Sequence, residues 1–191
     1  MKLFLKGERC SSPKCAMVRR PYRPGVHGKA RRRPISEYGT QLLEKQRIRI
    51  SYGLREEQLS KIFKLALGKP GVTSELILNS LERQLSNVVF RLGFAASRII
   101  ARQLVSHGHF LVNGKKINIP SCHVKVGDVI SIKPSSRELL IFQDLPNIIK
   151  KYEPPQWLSL DKEKMEGKVE FLPRDVETPF DINLVVDYYS K

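Results

Sequence analysis

The sequence predicts an α+β fold: a mainly helical domain with an inserted small module of two helices and a curled antiparallel sheet, preceded by a basic, extended N-terminal segment. Three observations predict it. Apolar residues recur at helical spacing at Leu59, Ile62, Phe63, Ala66 and Leu67, and again at Leu81, Leu85, Val88 and Leu92. From Phe110 to Ile132 the pattern changes to short apolar runs punctuated by Asn113-Gly114 and Gly127-Asp128, the signals of tight turns between strands. The first forty residues show neither period, only basic runs and prolines.

Residues 1–35 read as an extension that orders against a partner. They hold Arg19-Arg20, Arg31-Arg32-Arg33 and four prolines, Pro13, Pro21, Pro24 and Pro34, with too little apolar surface for a core. Tyr22 and His27 sit among these cations and join them as contact candidates. Cys10 and Cys15, with four residues between them in a Pro-containing turn, supply half of a tetrahedral zinc site, and His27 is the nearest further ligand type. Two free thiols in a turn is the other reading. The third cysteine, Cys122, makes an odd count in a chain with no secretory signal and no long apolar run, which suits a reduced compartment.

Residues 36–80 read as mainly helical. Ser36 can cap a helix reaching about Tyr52, on which Tyr38, Lys45, Arg49 and Tyr52 fall on one stripe. Cations and aromatic faces on one stripe suit backbone and ribose contacts; the same stripe also fits a solvated face with half-packed tyrosines. The next helix, apolar at Leu59, Ile62, Phe63, Ala66 and Leu67, is closed by Gly68 and Pro70, and Thr73 or Ser74 can cap a third.

In the module, residues 81–134, one helix carries Leu81, Leu85, Val88 and Leu92 inward, which places Arg83, Asn87 and Arg91 on a shared exposed face. Gly93 ends it and Ser97 can cap the next. There Ile100, Leu104 and Val105 point inward, Arg98 and Arg102 outward with Gln103 beside them, and Gly108 closes the helix. His107 and His109 flank that glycine, where a helix C-terminus favours imidazolium and a phosphate can approach. Neither has an acid partner at motif spacing, so no catalytic role is assigned to any residue. Asn113-Gly114 then turns one strand into the next and sets Lys115 and Lys116 beside the loop tip.

Residues 135–191 read as a helix from Ser136 to Ile149 interrupted by Pro146, a break at Pro154-Pro155 before Trp157, short strands, and a closing apolar segment, Leu184-Val185-Val186 with Tyr188-Tyr189.

Charge is distributed unevenly. Lys and Arg counted against Asp and Glu give +10 for residues 1–60, +2 for 61–80, +6 for 81–134 and −3 for 135–191, within a net +15. With a pI near 9.9, the asymmetry implies a polyanionic partner, because cations that neutralise phosphates release condensed counterions.

Several ordered motifs then carry a resemblance. Arg-Gln-Leu-Val-Ser-His-Gly-His (Arg102 to His109), Val-Asn-Gly (Val112 to Gly114), Asn-Ile-Pro-Ser (Asn118 to Ser121) and Val-Gly-Asp (Val126 to Asp128) resemble the RNA-binding module named after the fourth small-subunit ribosomal protein. That module also occurs in tyrosyl-tRNA synthetases, pseudouridine synthases and a heat-shock RNA-binding protein, so it implies RNA binding alone. Outside it, Lys6 to Cys10, Lys14 to Ala16, Arg19 to Tyr22, Pro24 to Gly28 and Trp157 to Asp161 resemble the bacterial ribosomal family itself, over almost the whole chain. The chain departs at Gln84-Leu85-Ser86-Asn87, where the family usually shows Arg-Leu-Asp-Asn; the paired charge loss suggests retained geometry with one ion pair removed.

The resemblance implies a structural constituent of the small ribosomal subunit, not an enzyme. It implies binding to the 5′ part of small-subunit ribosomal RNA, early assembly, an influence on decoding accuracy, contact with neighbouring ribosomal protein number five and, in some bacteria, repression of the protein's own messenger. The setting would be bacterial-type ribosomes, cytoplasmic or organellar, with no membrane and no small-molecule substrate. It also implies that the C-terminal tail, 135–191, packs back on the helical domain, and that zinc at Cys10 and Cys15 needs an upstream Cys-x-x-Cys pair; no cofactor is required otherwise. Arg83, Arg91, Arg98 and Arg102 are then expected to contact RNA, with Lys115 and Lys116 adding field strength. The competing reading, a pseudouridine-synthase-type enzyme carrying the same module, needs a strand-rich catalytic core that the short flanks do not supply. A zinc-dependent DNA regulator lacks both ligands and a finger-spaced helix.

Overall fold

A computed structural model describes residues 2–30, 34–174, 176 and 178–190 and shows an α+β fold. The N-terminal segment, expected to be extended, holds two single helical turns, α1 (Glu8–Ser11) and α2 (Ala16–Arg19). Its Gly7 backbone lies so close to Ala96 that a Cβ there would meet the Ala96 carbonyl oxygen at 2.7 Å. Then follow α3 (Glu37–Ser51), α4 (Glu56–Leu67) and α5 (Thr73–Glu82). Ser36 caps α3 by accepting from Gly39 N at 3.2 Å. Val72 takes the cap position of α5, so Thr73 begins that helix instead of capping it.

The single helix expected across residues 81–92 is two. The chain is extended at Gln84 (φ −65, ψ 133) before α6 (Leu85–Arg91), because the backbone there bonds a distant loop. Leu85 N donates to Cys122 O, Ser86 N to Pro120 O and Val124 N to Arg83 O. Leu81, Leu85, Val88 and Leu92 are all buried nonetheless. Gln84 and Ser86, where the family resemblance departs, are buried too, and an ion pair removed whole from such a site costs little.

After Gly93 (φ +78), α7 (Arg98–Ser106) is capped by Ser97, whose Oγ accepts from Ile100 N. β1 (Phe110–Val112) and β2 (Lys115–Lys116) form a hairpin, joined by β3 (Val129–Ile132). The expected helix from 136 to 149 is broken into a 3₁₀ turn (Pro134–Ser136), α8 (Leu140–Gln143) and α9 (Leu145–Lys150), with Pro146 in the first turn of α9, where its missing N–H costs nothing. β4 (Leu158–Asp161), β5 (Glu166–Val169) and α10 (Ile182–Ser190) complete the order.

One antiparallel sheet, ordered β2-β1-β3-β5-β4, pairs Val112 with Ile130 and Ile130 with Gly167. This corrects the expectation that all of 135–191 returns to the helical domain. Phe142, Leu145, Ile149, Trp157, Leu158 and Val169 enter the core of the module with Leu85, Val105, Phe110 and Ile132. The cause is β5, whose backbone continues the module's sheet. α10, with Phe180 just before it, reaches the second core, where Ile182 and Val185 meet Ile48, Leu59, Phe63, Ile77 and Leu81. Each such side chain contributes about 1.5–3 kcal/mol on burial.

The hairpin turn is pinned to the neighbouring turn. Asn113 (φ +50) and Gly114 (φ +77) take the left-handed values that a two-residue hairpin loop needs. The Asn113 amide donates to Asp128 Oδ1 at 2.8 Å and accepts from Val129 N at 2.9 Å, while Asp128 Oδ2 accepts from Lys125 N at 2.7 Å. Asp128→Ala removes two of these bonds and is expected to lower stability by about 1–2 kcal/mol, measured by urea unfolding; an unchanged midpoint would show the turn to be held by backbone bonds alone.

Candidate nucleic-acid interface

The centre of the molecule is a carboxylate that sequence reading passed over. Glu82, at the end of α5, has a fully buried side chain. Arg91 grips it with two bonds, Nε to Oε2 at 2.9 Å and Nη2 to Oε1 at 3.0 Å. The Tyr52 hydroxyl donates to Oε1 at 2.7 Å and Asn87 Nδ2 to Oε2 at 2.7 Å. Arg98 donates from Nε to Asn87 Oδ1 at 2.7 Å, and its guanidinium lies 4.8 Å from the Tyr52 ring centre and 4.7 Å from that of Phe90. Burial pushes the Glu82 carboxyl up, but the Arg91 hydrogen bonds and charge, the Tyr52 hydroxyl and the Arg98 charge together hold it below the ordinary value. Burial beside that carboxylate pushes the Tyr52 hydroxyl up.

Asn87, Arg91 and Arg98 therefore do not form the exposed, outward face that helical periodicity assigned them. Asn87 is 2 % exposed, and the two arginine side chains keep 22 % and 25 %. A buried anion draws its partners inward, because an unpaired carboxylate in a core is costly. Arg83 is also committed, donating from Nε to Val124 O at 2.8 Å and from Nη1 to Asn79 Oδ1 at 3.4 Å. Arg102 is half-buried against Gly53, with Nη1 enclosed and unpaired among the described residues.

The stripe on α3 turns inward for a similar reason. Lys45 Nζ donates to Glu56 Oε1 at 2.8 Å and Tyr188 OH at 3.3 Å, Tyr189 OH donates to the same Glu56 oxygen, and Tyr38 packs at 5.7 Å from the Tyr188 ring. Lys45 and Tyr52 are buried and Arg49 is half-buried with its Nε enclosed, so this stripe is the seam that receives α10.

What the surface offers a polyanion is elsewhere. Arg19, Arg20, Tyr22, Arg23, His27 and Lys29 are exposed, with Lys29 Nζ 5.2 Å from the Tyr22 ring centre. Arg31, Arg32 and Arg33 lie outside the described residues. Gln103, His107, Lys115 and Lys116 are exposed at the far end of the module. Lys116 lies across Gly108, so close that a Cβ there would collide with its Cε. His109 donates or accepts at Nδ1 with Ser136 Oγ, 3.0 Å away. Burial, then the neighbouring His107 and the Lys133 and Lys116 cations push its imidazole down, so the expected stabilisation of imidazolium at this helix end is reversed for His109. Asn113, a contact candidate by sequence, spends its amide on the turn described above.

Sequence reading also passed over Lys61, Lys64 and Lys69, exposed on and just after α4, opposite Leu59, Phe63 and Ala66. The signal was present: these lysines are what the apolar stripe leaves on the other face. Among the described residues none of the three forms an ion pair.

The half-site for zinc stays a half-site among the described residues. Cys10 Sγ accepts from Lys6 N at 3.4 Å, and Cys15 is a buried free thiol that backbone N–H groups of Met17 and Val18 push below its ordinary pKa, against a weaker effect of burial. No group of three His, Cys, Asp or Glu side chains able to hold a metal occurs among the described residues, so the donors present do not fit a tetrahedral site. No described helix is long and apolar enough to cross a membrane.

Residues 1–82 match the family described as ribosomal protein S4/S9 N-terminal domain, and residues 83–130 match the S4 domain. Proteins named small ribosomal subunit protein uS4 are similar along the entire chain: 52 % identical in Syntrophomonas wolfei, 50 % in Halothermothrix orenii and 50 % in Acetivibrio thermocellus, each alignment covering 100 % of this chain and 92 % of the relative. A likeness of this extent over the full chain shows that it belongs to the uS4 family of small ribosomal subunit proteins.

Proposed function

We propose that this chain is a structural, RNA-binding constituent of the small ribosomal subunit that works by holding folded ribosomal RNA in one geometry, without catalysing a reaction. The observation that carries the reading is the full-length likeness to uS4 proteins. The distribution of free cations supports it: the exposed Arg and Lys of the N-terminal segment, α4 and the β1–β2 hairpin suit phosphates, while the arginines nearest the junction of the two cores brace the fold. An RNA-modifying enzyme is not favoured, since the relatives similar along the entire chain are named as ribosomal proteins.

Within this reading the target is the 5′ part of the small-subunit RNA, binding occurs early in assembly, and the fixed RNA geometry contributes to decoding accuracy. The family resemblance further supports contact with ribosomal protein number five, control of the protein's own messenger, and residence on cytoplasmic ribosomes. No cofactor is needed for a function of this kind. Arg19, Arg20, Tyr22, His27, Arg31, Arg32, Arg33, Arg102, Gln103, His107, Lys115 and Lys116 are among the contact residues of this reading, with Arg23 and Lys29 beside them.

The test is co-sedimentation with small ribosomal subunits after a high-salt wash. The chain is expected to stay with the particle; release at moderate salt would assign it a peripheral role. In a purified system, Lys115→Gln with Lys116→Gln is expected to reduce the slope of log affinity against log salt by about 1.4–1.8, the value for two phosphate contacts. An unchanged slope would remove the hairpin from the interface.

A further inference from the structure

Between α4, α5 and the loop that carries Ser121 and His123 lies a cleft of about 680 Å³, inside the ~300–1,000 Å³ range of small-ligand sites. Its floor is apolar, with Leu54, Ile62 and Leu76, and Lys61, Lys69 and Arg83 stand around it. No carboxylate lines it among the described residues. We propose that this cleft is a subsite for one unpaired nucleotide of the bound RNA, its base on the apolar floor and its phosphates on those three cations. The proposal rests on the RNA-binding reading and adds to it a defined pocket for an extruded base.

Charge complementarity selects the occupant. A cleft with three cations and, among the described residues, no acid on its walls takes a polyanion, and its largely apolar floor takes a flat apolar face that a bare phosphate lacks. A nucleotide has both. The polar groups on the walls also have capacity to spare. Arg83 spends Nε and Nη1 on Val124 O and Asn79 Oδ1, which leaves its Nη2 without a hydrogen bond among the described residues. Among the described residues Asn79 and Gln58 use only their carbonyl oxygens, on Arg83 Nη1 and Arg55 N, so both keep amide N–H donors for a base edge. His123 meets Ser80 Oγ through Nε2 at 3.2 Å, leaving Nδ1. Burial and the Arg83 charge push its imidazole toward the neutral form, whose remaining Nδ1 donates to a base in one tautomer and accepts from it in the other. The position suits such a clamp as well: α4 and α5 belong to the core that α10 closes, whereas the Ser121–His123 loop is fastened to the start of α6 by the Leu85–Cys122 and Ser86–Pro120 bonds. A base held here would contact both units at once.

The test uses the full chain, a transcript of the small-subunit ribosomal RNA of Syntrophomonas wolfei, and chemical probing of the bases. Ser121→Trp fills the cleft without removing a hydrogen bond, and Asn79→Ala removes a donor from its wall. With the wild type, one unpaired base is expected to be protected; with Ser121→Trp that protection disappears while the remaining footprint persists and affinity falls about tenfold, the scale of one lost base contact. Asn79→Ala should weaken protection of the same base. Protection at every base unchanged in both variants overturns the subsite and leaves the RNA-binding reading intact, whereas no binding by the wild type overturns both. Saturable binding of an alternating Glu-Leu peptide, lost in Ser121→Trp while the RNA footprint stays whole, would assign the cleft to a protein partner and overturn the proposal.

Discussion

Replacing Glu82 with Gln is expected to lower the unfolding free energy by about 3 kcal/mol. Removing one member of a buried ion pair costs about 3–5 kcal/mol, because the remaining charge has lost its counter-charge in a poor solvent. The low end applies because the Arg91 and Arg98 side chains keep 22 % and 25 % exposure and can recover part of their hydration. The effect exceeds that of a single ion pair because four groups converge on this carboxylate: the Arg91 fork, the Tyr52 hydroxyl, the Asn87 amide and the Arg98 charge. For a chain of this length the melting temperature should drop by about 6–12 °C. The carboxyl also carries a pH signature. Its folded-state pKa is depressed below the unfolded value near 4.5, so its contribution is present above that pH and is lost as pH falls through the folded value. The Gln variant should therefore lose stability relative to wild type at pH 7 and approach it in acid. A constant gap between the two from pH 7 down to pH 3 would show that the carboxylate charge is not what holds the junction.

That junction marks where the sequence was legible and where it was not. Ser97 at the start of α7, Gly93 and Gly108 after the helices, and the Asn113-Gly114 turn were readable because a cap or a tight turn depends on residues within a few positions. The inward course of Arg91 and Arg98 was not. It depends on Glu82, which the break at Gln84 places across from them, and on Tyr52, thirty residues upstream of Glu82. The break itself depends on Pro120 and Cys122, more than thirty residues downstream. Periodicity assigns an arginine opposite an apolar stripe to solvent; a buried carboxylate from another helix overrides it. Short strands were expected after Trp157, but nothing local in Leu158–Asp161 or Glu166–Val169 names β3 as the partner, so their return to the module was hidden. The exposed cations of the N-terminal segment were legible for the opposite reason: with no apolar period there is no core to draw them in.

Neutralising four of those cations, Arg19, Arg20, Arg23 and Lys29, to Gln is accordingly expected to produce the largest loss of RNA affinity, roughly 10²–10³-fold near physiological salt. Each cation that neutralises a phosphate contributes about 0.7–0.9 to the salt slope, so the slope should fall by about 3. Stability should hardly move, because these side chains are exposed and none forms an ion pair among the described residues. Arg98 supplies the contrast. Enclosed between the Tyr52 and Phe90 rings and bonded to Asn87, it should on replacement by Ala lower the melting temperature and leave the salt slope of the folded fraction nearly unchanged. A merely soluble basic surface would show neither the steep slope nor this separation between binding cations and bracing cations. If the fourfold variant keeps its slope while Arg98→Ala flattens it, the grip on RNA lies at the junction of the two cores and the N-terminal segment only decorates the complex.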